Sequence, residues 1–405
     1  APQAALKGRR VPVPRGRMVG GSGAINSMVW FRGRRADFDG WGLPGWTWND
    51  VEPVCQAIER RVQPAQMQGA HPLERALHGL FGQNDTAPPT PERESAGVFR
   101  INMARGRRRS AADALLRPAV RAARGVILSA GSVGSPAIRL RSGIGPADQL
   151  RGLGIDVVAA SEAVGANLQD HPGVGLHFDG GGYGLSLAQL PGWIAAPLRW
   201  ASTGRGRLAS PTVEGGAFFN ALGTGTVPDV QSHFIPFKLG WQGRRFVPGQ
   251  GYFADVCLCR PRSRGSLRLM SKDPRAAPWI DLGLPSDPRD LELLFAGLRR
   301  LRLLLEEAEF GPRAGTEVCP GPQLSSDAQL RAYIRQRCAT AYHPVGTLRM
   351  GPGDDPVDAR CRVRGADALW VADASVMPAI TSANTNAPSM MIGAHAAEFI
   401  ARDAA

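Results

Sequence analysis

The chain has 405 residues, 43% apolar and 20% charged, enough to bury a core in two domains or in one large discontinuous one. Its formal net charge is +13, but Lys7, Lys238 and Lys272 are the only lysines, the arginines are spread along the chain, and the densest basic run, RGRRRS (105–110), has no interleaved aromatic residue, so no nucleic-acid partner is implied. Cysteines at 55, 257, 259, 319, 338 and 361 form no CxxC pair and no zinc-spaced cluster with histidine, which predicts free thiols, no structural metal and a reducing, cytoplasmic compartment.

The first informative stretch is PVPRGRMVGGSGAIN (12–26), a glycine-rich loop. Gly20, Gly21 and Gly23 remove side chains where a ligand could lie, and Ser22 and Asn26 offer polar groups; a plain turn is the alternative reading. GVILSAG (125–131) predicts a short strand, and GSPAIRLRSGIG (134–145) a helix with Ser135 as N-cap and Pro136 at its first position. Strand, small-residue turn and helix make half of a dinucleotide-fold unit. PADQLRGLG then predicts a short helix and IDVVAA (155–160) a second strand.

From about 175 the texture changes. No apolar run reaches the length of a membrane span. The most membrane-like stretch, SLAQLPGWIAAPLRWAS (186–202), is interrupted by Pro191, Pro197 and Arg199 and reads as a buried or lid segment, with peripheral contact to a membrane surface as the alternative. PDVQSHFIPF (228–237) and GSLRLM (265–270) predict antiparallel strands. After Asp287 and Pro288, leucines at 291, 294, 298, 301 and 305 recur at helical spacing. ALWVADAS (368–375) predicts a strand ending in Asp, and PSMMIGAHAAEFIARD (388–403) a closing helix.

Two late segments carry candidate chemistry. In AYHPVGTLRMG (341–351), Pro344 stiffens the backbone beside His343, a candidate general base because its ordinary pKa lies near neutrality; a structural histidine is the alternative. His71-Pro72 and His171-Pro172 show that the dipeptide alone proves little. In VADASVMPAITSANTNAPSMMIG (371–393), Asp373 and Ala374 sit at a strand end, where a carboxylate often meets a ribose or ribityl hydroxyl. Asn384 and Asn386 lie just before the last helix, whose free N–H groups favour an anionic ligand atom; a capping loop is the alternative.

Taken together, PRGRMVGGSGAINSMVWFRGRRADFDGW (14–41), GSVGSPAIRLRSGIG (131–145), VGANLQDHP (164–172), PRSRGSLRL (261–269), YHPVGTLRMG (342–351) and ALWVADASVMP (368–378) resemble, in order and nearly end to end, the glucose-methanol-choline (GMC) oxidoreductases. Arg139 stands where that family usually has an apolar residue, and TNAPSMMIG (385–393) is most similar to its choline-dehydrogenase and bacterial alcohol-dehydrogenase branch. The resemblance implies an α/β enzyme of mixed α+β character: a Rossmann-like FAD-binding domain over 1–174, with an inserted segment at about 45–105, a mixed or antiparallel-sheet substrate domain over 175–340, and a return to the first domain over 341–405. It implies FAD and a small-molecule alcohol, with His343 as base, Asn384 as its partner across the substrate oxygen, and a dehydrogenase passing electrons to a quinone-like or dye-like acceptor. Gly20, Gly21, Ser22, Asn26, Asp373, Ala374, Asn386 and Pro388 would contact the cofactor. Some members tether FAD through a histidine just before the Asn of the first signature; here that position is Ile25, which implies non-covalent flavin.

The sequence departs from the family pattern on the ADP half of the cofactor site. No GxGxxG opens a βαβ unit, and RRRSAADALLRPAVR (107–121) runs almost directly into AARGVILSAG, without the strand and hairpin that the family places there. These departures predict a truncated FAD-binding domain with unpaired sheet edges, and FAD binding weakened by roughly 1.5–3 kcal/mol per lost charged contact. The resulting expectation is an alcohol dehydrogenase of impaired activity. A catalytically inactive relative or binding remnant, and a flavin-bearing cyanohydrin lyase, are the alternatives.

Overall fold

The computed structural model describes residues 1–403 except 19, 68–70, 83–86, 105, 112–124, 186–188, 239–240, 243–244, 247–248, 309 and 311–313. The run-on expected between 107–121 and the strand that follows it falls largely outside these residues.

The main element is a seven-stranded sheet. In chain order its strands are β1 (Ser95–Val98), β3 (Pro172–Leu185), β4 (Gly215–Phe219), β5 (Val230–Ile235), β6 (Gly249–Leu258), β7 (Thr316–Cys319) and β8 (Ala339–Thr340). They pair antiparallel in the order β7-β3-β6-β5-β4-β1, with β8 beside the start of β3. Residues 95–98 therefore complete a sheet whose other strands come from residues 172–340.

Helix α4 (Pro288–Glu307) covers one face. Asp287 caps it by accepting from the Arg289 N–H, Pro288 fills the first turn, and Leu291, Leu294, Leu298, Leu301 and Leu305 are buried, as their spacing predicts. Gly297 lets the helix approach the sheet closely: a Cβ there would lie 2.8 Å from Val256 and 3.2 Å from Val230.

A second core lies under the N- and C-terminal segments. It joins Trp41, Trp46, Val51 and Ile58 to Met390, Met391 and Ile392. Helix α1 (Trp48–Val62) and helix α6 (Asn386–Asp403) pack together there. Strand β9 (Leu369–Val371) runs parallel to β2 (Val126–Leu128), so the chain's last quarter returns to its first third. Among the described residues β2 pairs only with β9, and Val126 and Ile127 are 57% and 44% exposed.

Three local expectations need correction. Helix α2 spans Gly131–Arg141, so it begins four residues before Ser135, and Pro136 lies inside it. The helix tolerates Pro136 because the carbonyl that a proline cannot engage, that of Ser132, accepts from the Thr347 hydroxyl at 2.8 Å. Ser135 instead links the Ala130 N–H to the Asp373 carboxylate. In IDVVAA only Ala159–Ala160 is strand, because its parallel partner is the two-residue Ile144–Gly145. The last helix begins at Asn386, which places Pro388 in its first turn.

Arg139 is 1% exposed, with Nη1 2.9 Å from the Pro356 carbonyl and Nη2 3.1 Å from that of Arg364. Burial pulls its pKa down to about 10. Where the family has an apolar side chain, this one clamps the 356–364 loop onto α2.

Candidate active site

The site forms where three segments meet: the turn carrying His343, the loop before α6 carrying Asn384, and β5 carrying Gln231 and His233. Asp170 sets the first of these. Its Oδ1 accepts the His343 N–H at 2.9 Å and its Oδ2 accepts from the Thr340 hydroxyl, while Thr340 Oγ1 accepts the Tyr342 N–H at 2.7 Å. The turn is strained, with Tyr342 at φ 67°, a left-handed conformation unusual for an aromatic residue. Asp170 is fully buried, and burial raises its pKa to about 6 against the pull of these donors.

Gln169 and Asn167 hold the second segment. Both side-chain amides donate to the Pro378 carbonyl, at 3.0 and 3.2 Å, and Gln169 Oε1 accepts the Ile380 N–H at 3.2 Å. Asp37 accepts from the N–H and hydroxyl of Ser382, whose hydroxyl also accepts from Arg260. The backbone leading into Asn384 is thus held by protein groups alone.

The side-chain bonds then determine every tautomer in the site. His171 Nε2 lies 3.0 Å from the Thr381 carbonyl, which can only accept, so that nitrogen carries the proton. His171 Nδ1 is therefore an acceptor, and the contact of 2.9 Å to His343 Nδ1 requires the proton on His343 Nδ1. The lone pair of His343 is left on Nε2, 3.0 Å from Asn384 Nδ2. Asn384 is oriented by Gln231, whose Nε2 donates to Asn384 Oδ1 at 2.9 Å. Its amide nitrogen thus faces His343 Nε2 and, at 3.4 Å, His233 Nε2. His233 Nδ1 donates to Asp255, whose oxygens lie at 3.1 and 3.3 Å.

Burial favours the neutral imidazoles that this scheme needs. It pulls His171 down to about 4, and it holds His343 well below the ordinary histidine range, helped by the fields of His171, His233 and Arg15. At His233 burial acts in the same direction, but the Asp255 carboxylate outweighs it and the pKa is raised. His171 and His233 are buried, whereas His343 and Asn384 remain half-buried, so these two are the members of the group with surface left for a small molecule.

The expected cofactor residues divide. Asn386 begins α6, and its Nδ2 is buried with no hydrogen-bond partner. Gly21 and Gly23 line open space, since a Cβ on either would meet nothing within 4 Å. Gly20 and Gly21 have positive φ, 92° and 52°, and let the loop turn back on Gly16. Arg15, in the same loop, buries Nε and Nη2 without a partner. An orphaned donor at a helix N-terminus, an orphaned guanidinium and an open glycine cradle fit an anionic, acceptor-rich group such as a flavin nucleotide.

Ser22, Asn26 and Asp373 already have protein partners. Ser22 Oγ accepts the Gly16 N–H at 3.3 Å, and Asn26 Oδ1 accepts from the Met28 N–H at 3.0 Å and from Arg108. Asp373 accepts from the N–H groups of Gly131 and Ser375 and from the Ser135 hydroxyl, tying α2 to the turn after β9. Ala374 begins that turn and its carbonyl accepts the Gly346 N–H, and Pro388 packs in the first turn of α6.

The residues that pattern reading passed over are Asp170, His171, Gln231, His233 and Asp255. QDHP and QSH did offer adjacent polar residues in otherwise apolar strand-like runs, but nothing in the sequence aligns them with His343.

The GMC oxidoreductase family models match residues 3–126 and 119–173 at the N-terminal side and 261–393 at the C-terminal side. The chain belongs to the GMC oxidoreductase family. It is 34% identical to an oxygen-dependent choline dehydrogenase of Sinorhizobium medicae, over 98% of this chain and 84% of that protein. A Brucella anthropi protein of the same description is 32% identical over the same shares. Among solved structures, pyridoxine 4-oxidase from Mesorbium loti superposes with a TM-score of 0.81 at 24% identity, covering 98% of this chain and 86% of its own. A formate oxidase superposes at 0.83 with 23% identity, over 97% and 85%. As a GMC member the chain is an FAD-dependent oxidoreductase acting on CH–OH donors.

Proposed function

We propose that this GMC protein oxidises a small alcohol to the aldehyde or ketone with His343 as general base. The observation that carries the reading is the directed lone pair. His343 Nε2 is unprotonated because its Nδ1–H is committed to His171, and it faces an amide N–H of Asn384. An alcohol oxygen that displaces this 3.0 Å hydrogen bond and contacts both groups would give its proton to His343 Nε2 while accepting from Asn384 Nδ2, which steadies the developing alkoxide. Arg15 adds a positive field at the same place, consistent with its lowering effect on His343. FAD, when bound, supplies the hydride acceptor for the carbinol carbon.

Asn386 Nδ2 and the N-terminus of α6 would hold the flavin's electron-rich edge, and the loop around Gly21 and Gly23 would lie along its phosphate link. The flavin is held non-covalently in this reading, because Ile25 offers no nucleophile at the position used for tethering. Electrons leave to a quinone-like or dye-like acceptor.

The test is dye-linked oxidation of simple primary alcohols by purified, FAD-supplemented protein, with release of flavin on acid precipitation. His343→Ala should lower the rate by about 10²–10⁴-fold while flavin absorbance in the folded protein persists. Undiminished oxidation by His343→Ala would exclude this residue as the base.

A further inference from the structure

Helix α3 (Leu190–Thr203) is exposed, which removes the buried half of the buried-or-lid expectation. Its inner side is pinned by two indoles: Trp193 Nε1 donates to the Gly184 carbonyl at 2.9 Å, and Trp200 Nε1 to that of Gly106 at 3.0 Å. The opposite side faces outward and is apolar. Leu190, Ile194 and Leu198, spaced by four residues on one face, are 49%, 71% and 78% exposed. Pro191, Ala195 and Ala201 extend that face, and Leu208, 48% exposed, follows on the next turn. A surface helix of a water-soluble domain normally turns charged residues outward; here Arg199 is the single charged residue in fourteen.

The segment that carries the face has charge of one sign. Residues 180–213 contain Arg199, Arg205 and Arg207 and no Asp or Glu. Arg199 and Arg205 are exposed, and Arg207 stacks over Trp193 at 4.9 Å. An apolar face whose own segment carries arginines and no carboxylate is complementary to the headgroup boundary of an anionic bilayer. No helix among the described residues is long and apolar enough to cross a membrane, so insertion would be limited to this face.

We infer that α3 is a peripheral membrane-docking helix, its Leu190, Ile194 and Leu198 face entering the acyl boundary of an anionic lipid surface with Arg199 and Arg205 at the headgroups. The face has the sign and hydrophobicity of a lipid contact rather than of a mixed-charge protein interface.

Vesicle flotation tests this directly, using the whole chain with phosphatidylcholine vesicles containing about one-third phosphatidylglycerol, against pure phosphatidylcholine. Wild-type protein should float with the anionic vesicles and release at high salt. Ile194→Glu with Leu198→Glu should cut the bound fraction at least about tenfold. Leu222→Glu, at an exposed leucine elsewhere (66%), should not. Thermal melts of each variant confirm folding. Equal binding of the double variant and wild type, or no binding by either, would overturn the inference. So would a wild-type dimer by light scattering that becomes monomeric in the double variant, because a second copy would then be the occupant of the face.

Discussion

Replacing His171 isolates the part of the site that sets proton position. His171 is 1% exposed and makes no contact with the reachable side of His343, so it acts as a positioning residue. In His171→Leu the His343 Nδ1–H loses its acceptor in a place water does not enter. An unsatisfied buried donor costs about 1–3 kcal/mol, and that cost falls on the tautomer that presents the Nε2 lone pair. If the ring responds by moving its proton to Nε2, the base is lost from the reactive side. With about 1.4 kcal/mol per factor of ten, oxidation should fall roughly 5–150-fold, with the effect on kcat rather than on KM. His171→Asn keeps an acceptor near the original Nδ1 and should restore most of the rate. Long-range ¹H–¹⁵N correlation of the imidazoles reads the tautomer without any turnover: Nδ1–H in wild type and His171→Asn, Nε2–H in His171→Leu. A leucine variant that keeps the Nδ1–H tautomer and the wild-type rate would refute the reasoning.

Other parts of the fold give independent tests. Protonating His233 puts a donor on Nε2 against the Asn384 amide, and Asp255 raises its pKa. Activity should therefore decline as pH falls through a value above the ordinary 6.5, and Asp255→Asn should shift that decline to lower pH in a kcat/KM profile. Glu74 is fully buried with both carboxyl oxygens unpartnered, and burial together with nearby Glu214 raises its pKa well above 4.5. The folded state thus binds a proton that the unfolded state releases, so this group's contribution to stability falls as pH rises above 4.5. Glu74→Gln should raise the melting temperature more at pH 8 than at pH 5, and an identical offset at both would contradict the assignment. Arg139→Lys offers one ammonium to two carbonyls and should destabilise by about 1–3 kcal/mol in urea titration.

Much of the fold was legible because its signals are local. The leucine repeat and Asp-Pro start specify α4 whatever surrounds it, and the strand-turn-helix grammar around 126–141 and 369–403 comes from β-type runs, glycines and capping residues. The family motifs also named the reachable pair, His343 and Asn384. Boundaries went wrong where a distant group changed the local rule: Thr347 satisfies the carbonyl beside Pro136 and lets α2 start early, and a two-residue partner leaves most of IDVVAA outside any ladder.

The rest of the site is long-range. His171 is 172 residues from His343, and Gln231 is 153 residues from Asn384. Asp255 reaches His233 across neighbouring strands, and no spacing in one chain reveals such pairs. The direction of the amphipathic face of α3 was equally hidden, since proline and tryptophan within an apolar run read alike for a lid, a core or a surface. The sequence by itself determined which residue types were present, which local elements they form and which reaction class they suit. Tertiary structure decided which nitrogen of His343 bears the proton, which carboxylates govern the histidines, and that α3 turns its leucines outward, because each depends on groups that only folding brings within bonding distance or withdraws from contact.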